Sequence, residues 1–101
     1  MIVVNARIES DPQSIEALKP AIEAMEAASR AEGGCEEYTF SVELNDPSVL
    51  RVTECWRDSK ALDMHMASAH MAEFRAAMGS HPPKGLNAVF YEASQIEVPL
   101  S

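Results

Sequence analysis

Basic residues are scarce in this chain. It has 8 Lys and Arg against 16 Asp and Glu, a formal net charge of -8 over 101 residues. Such a chain lacks the positive footprint that a phosphate backbone requires, and anionic membrane surfaces repel it. Neither nucleic acid nor membrane is therefore expected as a partner. The balance suits small neutral or phenolic ligands. Two cysteines, Cys35 and Cys55, are too few for a disulfide framework, so two reduced, buried thiols are expected. No apolar run is long enough to span a bilayer. The opening residues, MIVVNARIES, lack the basic and apolar regions of a secretory signal, and the expected location is the cytoplasm. Repeats, low-complexity tracts and linkers are missing too, which leaves one domain over residues 1–101.

What is present is apolar residue in quantity. The 47% hydrophobic content supports one packed core. Residues 2–8, IVVNARI, are β-branched and short and read as a first strand. Asp11 can cap a helix with Pro12 at its first position. Ile15, Leu18, Ile22 and Met25 follow at helical spacing, and Pro20 should kink that helix or mark its true start. Gly33-Gly34 is expected to end it in the left-handed conformation. CEEYTFSVEL reads as a second strand with Tyr38, Phe40 and Val42 on one face. NDPS reads as a turn, and VLRVTECW as a third strand closing a hairpin. Asp58 or Ser59 then caps a helix with Leu62 and Met66 as its apolar pair. Ser68 can restart it, giving a stripe of Met71, Phe74 and Met78. After the loop GSHPPKG, LNAVFYEASQIEV reads as a long last strand, bent near Ala93-Ser94.

This order specifies an α+β fold of ferredoxin-like βαββαβ topology, an antiparallel sheet with helices on one face. The free face should then be polar. Val3 shares it with Asn5 and Arg7 in the first strand, however, and the last strand is apolar on both faces. A sheet apolar on both sides asks for a second layer, and another copy of the chain is the simplest supplier, as a two-fold homodimer.

The chemistry concentrates in ECWRDSKALDMHMASAH, residues 54–70. His65 and His70, five apart, would lie about 140° apart on one continuous helix and could not chelate one ion. No CxxC, HExxH or acidic-loop motif is present, so no metal is expected. Glu54 and Trp56 are two apart on a strand and share a face with Leu50 and Val52. His65 borders the apolar stripe of its helix, which places an imidazole over that face. A carboxylate can orient an imidazole, an imidazole can take a proton from a phenol or enol, and an indole can stack on a flat ligand. Each also has a plain structural reading: a packed His65, a core Trp56, a surface His70, and His81 as a loop residue.

These residues resemble the antibiotic biosynthesis monooxygenase family. The resemblance rests on Gly34, Cys35 and Tyr38 opening the second strand, on Glu54-x-Trp56, and on His65 and His70 at nine residues after the Trp and five more. It implies a ferredoxin-like fold assembled as a dimeric α/β barrel, with a ligand cavity in each protomer between sheet and helices. Oxygenase members of the family use no metal, flavin or other cofactor. The substrate itself, once deprotonated, gives electrons to O2. The resemblance implies His65 as catalytic base or anion partner and Glu54 as its orienting group. Trp56 becomes a stacking wall and Asn5 a hydrogen-bond donor to substrate, with Tyr38, His70 and Phe74 lining the cavity. A heme-degrading branch places a Trp and a heme-ligating His where His65 and Arg75 stand here, which argues against heme breakdown. An isomerase branch handling a phosphorylated sugar would need a basic group in the pocket, for which Arg7, Arg51, Arg57 and Arg75 are the candidates.

Three readings follow. The first is a cofactor-independent monooxygenase of a quinol or anthrone. The second is an isomerase or tautomerase of a small enolisable, and in one form phosphorylated, metabolite. The third is a non-catalytic small-ligand-binding dimer. Shared fold does not choose between them.

Overall fold

A computed structural model describes residues 1–100. The chain order is β1 (Ile2–Glu9), α1 (Pro12–Arg30), β2 (Cys35–Glu43), β3 (Asp46–Trp56), α2 (Ser59–Met66), α3 (Ala69–Ser80) and β4 (Gly85–Glu92). The strands make one antiparallel sheet in the order β2-β3-β1-β4, the ferredoxin-like arrangement. Among the described residues, no helix is long and apolar enough to cross a membrane.

Side-chain caps set the helix starts. Asp11 accepts from the Ser14 N–H at 2.8 Å, and Asp58 from the Ala61 N–H at 2.9 Å. Each satisfies a donor that the first helical turn leaves without a partner. α1 starts at Pro12 and continues through Pro20, which lies on the solvent face. Its inner stripe of Ile15, Leu18, Ile22 and Met25 packs on Val4, Ile8, Leu50 and Val52 of the two central strands. Full burial of such side chains stabilises by about 1.5–3 kcal/mol each.

The structure corrects several expectations from the sequence. Gly33 and Gly34 do not adopt positive φ, and α1 ends on Ala31, whose N–H bonds back to Ala27 O while the Glu32 N–H bonds to Ser29 O. Gly34 is needed for a different reason. A Cβ there would lie 2.4 Å from the Ala61 Cβ, so the loop after α1 can rest on α2 only without a side chain. The hairpin turn is Leu44-Asn45, because β3 already begins at Asp46, which pairs with Glu43. Pro47 is tolerated there because pairing of β3 with β1 starts only at Val49. In α2 the buried pair is Ala61 and His65, not Leu62 and Met66; Met66 is 38% exposed. β4 stops at Glu92, short of the expected end at Val98, and Ile96, Val98 and Leu100 are exposed beyond it. Cys35 and Cys55 are free, as expected, but only half-buried. Burial raises both thiol pKa values, and for Cys55 the Glu36 carboxylate adds to this, which makes both poor nucleophiles.

Candidate functional site

Helices cover one face of the sheet, and the register decides what they cover. Val4 pairs with Glu54 and Phe90, and Ile2 with Trp56, so Glu54 and Trp56 point toward the helices with Val4. Asn5 pairs with Thr53 and Val89 and points the other way, exposed on the helix-free face. The strand alternation already implied this, since Asn5 is odd in the period that carries Val4, Ala6 and Ile8 inward.

Between that face and α3 lies a cavity of about 290 Å³. Its lining is almost wholly apolar: Val4, Phe40 and Val52 below, Met71, Phe74 and Met78 above. Glu54, His65 and Tyr38 close one end, and Leu86, Phe90 and Arg75 stand on the side of the open β4 edge. Of the residues expected to form a site, His65, Glu54, Tyr38 and Phe74 line this cavity. Trp56 does not; it is 0% exposed and lies against the His65 ring, centroids 4.4 Å apart and planes tilted by 34°. His70 also lies outside the lining, in a hollow between α3 and Ala24, Met25 and Ala28 of α1.

α2 and α3 are two helices, not one, and this changes the histidine geometry. Ala67 and Ser68 separate them. Ser68 accepts from the Met71 N–H at 3.2 Å as the cap of α3, while its hydroxyl donates to the His65 carbonyl at 2.6 Å. The break cancels the divergence of a continuous helix, and both rings reach one carboxylate. His65 Nδ1–H donates to Glu32 Oε2 at 2.7 Å, and His70 Nε2–H donates to the same oxygen at 2.8 Å. A carboxylate oxygen can only accept, which places a proton on each of those nitrogens.

Glu32 was not picked out from the sequence. It sits in the loop between α1 and β2, where residues close in space are far apart in the chain. The one local signal was Gly34, whose bare backbone against Ala61 brings that loop to α2. Glu32, rather than Glu54, is the group that orients His65. Glu54 Oε1 is 4.0 Å from His65 Nε2 and accepts the Trp56 indole N–H at 2.9 Å. The neutral His65 ring therefore holds its proton toward Glu32 and turns the Nε2 lone pair to the Glu54 side, where both line the cavity. A base whose second nitrogen is fixed by a carboxylate is a recurring device of proton-transfer sites.

The surroundings shift other groups. Burial raises the Glu54 carboxyl above its ordinary value; the Trp56 N–H and the nearby His65 pull it back, and Glu32 adds to the rise. The Tyr38 phenol, its ring 5.3 Å from that of His65, is pushed well up, first by burial and then by Glu54. At neutral pH Tyr38 is a hydrogen-bond donor, not a phenolate.

The family described as antibiotic biosynthesis monooxygenase matches residues 1–77. Rv0793 of Mycobacterium tuberculosis, named as a candidate monooxygenase, is 36% identical over 78 residues, covering 77% of this chain and 76% of that protein. Its solved structure superposes with a TM-score of 0.83 at 27% identity, over 96% of this chain and 98% of that one. A Deinococcus radiodurans structure described in terms of the same family superposes with a TM-score of 0.90 at 22% identity over 100% of both chains, a likeness of fold. With a family match over three quarters of its length, carrying Tyr38, Glu54, Trp56, His65 and His70 within it, the chain belongs to the antibiotic biosynthesis monooxygenase family.

Proposed function

We propose that the protein is a cofactor-independent monooxygenase that oxidises a quinol- or anthrone-type aromatic with O2. The observation that carries this reading is the His65 ring at the closed end of an apolar cavity, oriented by Glu32 on its far side. The cavity, about 290 Å³, sits at the lower end of the range for small-molecule pockets and suits a flat molecule of a few rings. His65 Nε2 takes a proton from the phenolic or activated C–H position. The anion passes one electron to O2, the resulting radical and superoxide combine to a peroxide anion, and the proton held on His65 returns to it to give a hydroperoxide. In an anthrone, loss of water then leaves a carbonyl: one oxygen atom of O2 enters the product and the other leaves as water. Glu54 and Tyr38 line the cavity beside His65 and are polar side chains available to the substrate oxygen. The apolar walls keep bulk water from the anion.

The helix-free face supports a homodimer. Val89 and Tyr91 are 37% and 49% exposed there, and the tail beyond β4 keeps Ile96, Val98 and Leu100 at strand-like alternate positions. A second copy covering that face would give the dimeric barrel of the family, working in the cytoplasm as the sequence suggests.

A second reading has support in the same pair. A base at His65 opposite a carboxyl with a raised pKa also suits an isomerase or tautomerase, with Arg75 at the rim for an anionic group. Oxygen uptake by chelator-treated protein, offered a panel of quinols and anthrones, separates the two. Uptake by wild type that His65→Ala abolishes supports the oxygenase. Solvent proton exchange into substrate without uptake supports the isomerase. Equal uptake by both proteins would remove His65 from the reaction.

A further inference from the structure

The cluster on the far side of His65 holds a possibility that the oxygenase reading does not use and does not need. Glu32 Oε2, His65 Nδ1 and His70 Nε2 all lie within 4.8 Å of one another. They come from three places in the chain: the α1–β2 loop, α2 and the start of α3. Transition-metal ions hold imidazole nitrogen and carboxylate oxygen at about 2.0–2.2 Å, so neighbouring donors in a tetrahedral or octahedral shell stand roughly 2.9–3.5 Å apart. The carboxylate oxygen is already 2.7 and 2.8 Å from the two nitrogens. Opening those two distances by a few tenths of an ångström, and setting the two nitrogens, within 4.8 Å of each other, to the same spacing, would admit an ion.

We infer that Glu32, His65 and His70 form a binding site for a divalent transition-metal ion, Zn2+ being the natural probe. Two imidazoles and one carboxylate suit Zn2+, Co2+, Ni2+ or Cu2+ and not Mg2+ or Ca2+, which want oxygen ligands. The ligands are held in advance. The His65 ring is fixed against Trp56 and Tyr38, and Ser68 fixes the relation of His65 to His70. The site is reachable, since the side chains of His70 and Glu32 are 22% and 18% exposed, leaving room for water as a further ligand. The other nitrogen of His65 faces the Glu54 carboxyl, 4.0 Å away and beyond hydrogen-bond reach. Net charge of -8 favours cation binding over the whole molecule.

Occupancy has a consequence for the ring. A metal on Nδ1 displaces that proton, so the neutral ring carries its hydrogen on Nε2 and presents no lone pair to the cavity. The metal therefore acts as an inhibitor of any reaction that uses His65 as base, whichever substrate is correct.

The test is a titration of tag-free, chelator-treated protein with Zn2+ by calorimetry and with Co2+ by visible absorption. One Zn2+ per chain is expected, together with Co2+ ligand-field bands. His70→Ala and Glu32→Gln should each weaken Zn2+ binding at least tenfold, with circular dichroism showing that they fold. As a measurement that needs no variant, imidazole NMR of wild type should shift two of the three histidines on adding Zn2+ and leave His81 unmoved. Absence of Zn2+ uptake at tens of micromolar would overturn the inference. So would uptake unchanged in both variants, or lost in Cys35→Ser or Cys55→Ser instead, or an NMR response confined to His81.

Discussion

The two ends of the cavity are built on different terms. At the β3 end, Trp56, His65, Tyr38 and Glu54 are 0%, 1%, 3% and 9% exposed and interlocked by ring contacts and hydrogen bonds. At the β4 end no residue is buried, and Leu86 and Phe90 are 60% and 51% exposed although they share the cavity lining. The difference separates two tasks. A group that must take a proton needs one geometry, and dense packing enforces it. A surface that admits ligands or meets a partner has to stay available. The same cavity is therefore rigid around the imidazole and open along the β4 edge.

Substitution should break this contrast most visibly at Trp56. Trp56→Ala is expected to cost about 3–5 kcal/mol, from lost burial and a cavity beneath His65. Leu86→Ala at the other end should stay within about 0.5 kcal/mol, as exposed positions do. Urea melts of both variants measure it. A comparable loss in Leu86→Ala would mean that the β4 end is covered in solution, and sedimentation would then reveal the covering copy.

Next in size is Glu32→Gln. Removing the carboxylate that orients His65 should lower turnover about 100-fold, with the melting temperature nearly unchanged. Turnover near wild type would return the orienting role to Glu54.

Glu54→Gln should act on stability through pH. The folded protein holds the Glu54 proton more tightly than the unfolded chain, because burial raises its pKa above 4.5. Stability from the neutral form is therefore full below that value and is lost as pH rises through the raised pKa. Gln keeps an oxygen for the Trp56 N–H and has no charge to bury. Its melting temperature should gain on wild type between pH 4.5 and neutrality, by a few degrees; parallel curves across that range would show that burial does not strain the carboxylate.

Smallest is Arg75→Gln at the rim. KM for substrates with an acidic substituent should rise less than tenfold while kcat and neutral substrates are unaffected. An equal change for both kinds of substrate would make Arg75 a packing group.

The strand order, the three helix caps and the inward row of Leu50, Val52, Glu54 and Trp56 could be read directly from period and capping chemistry. So could His65 over that row. What could not be read depended on contacts between distant segments. Glu32 reaches His65 across 33 residues, and the only local mark is Gly34 two residues on, which does not by itself name Glu32. The convergence of His65 and His70 required knowing that Ser68 breaks the helix rather than bends it. Periodicity picked the larger Leu62 and Met66 as the inner pair, but Gly34 against Ala61 draws the Ala61–His65 side inward. Asn5 was placed by resemblance against the strand's own alternation, and the alternation prevailed in the structure. The last strand was drawn too long because β1, its only neighbour, runs out: Ile2 is already paired with Glu92, and Met1 holds Ala93.

The joint at Ala67-Ser68 has a consequence for how such a protein could be redesigned. The imidazole that the proposed reaction uses is on α2, and much of the cavity wall, Met71, Phe74, Arg75 and Met78, is on α3. Neither residue of the joint lines the cavity. Changes along α3 can therefore resize the chamber or alter its polarity while leaving the proton acceptor where it stands. On the proposed reaction, reactivity and taste are carried by separate cassettes, and a library confined to four positions of one helix would sample new substrates without moving the imidazole.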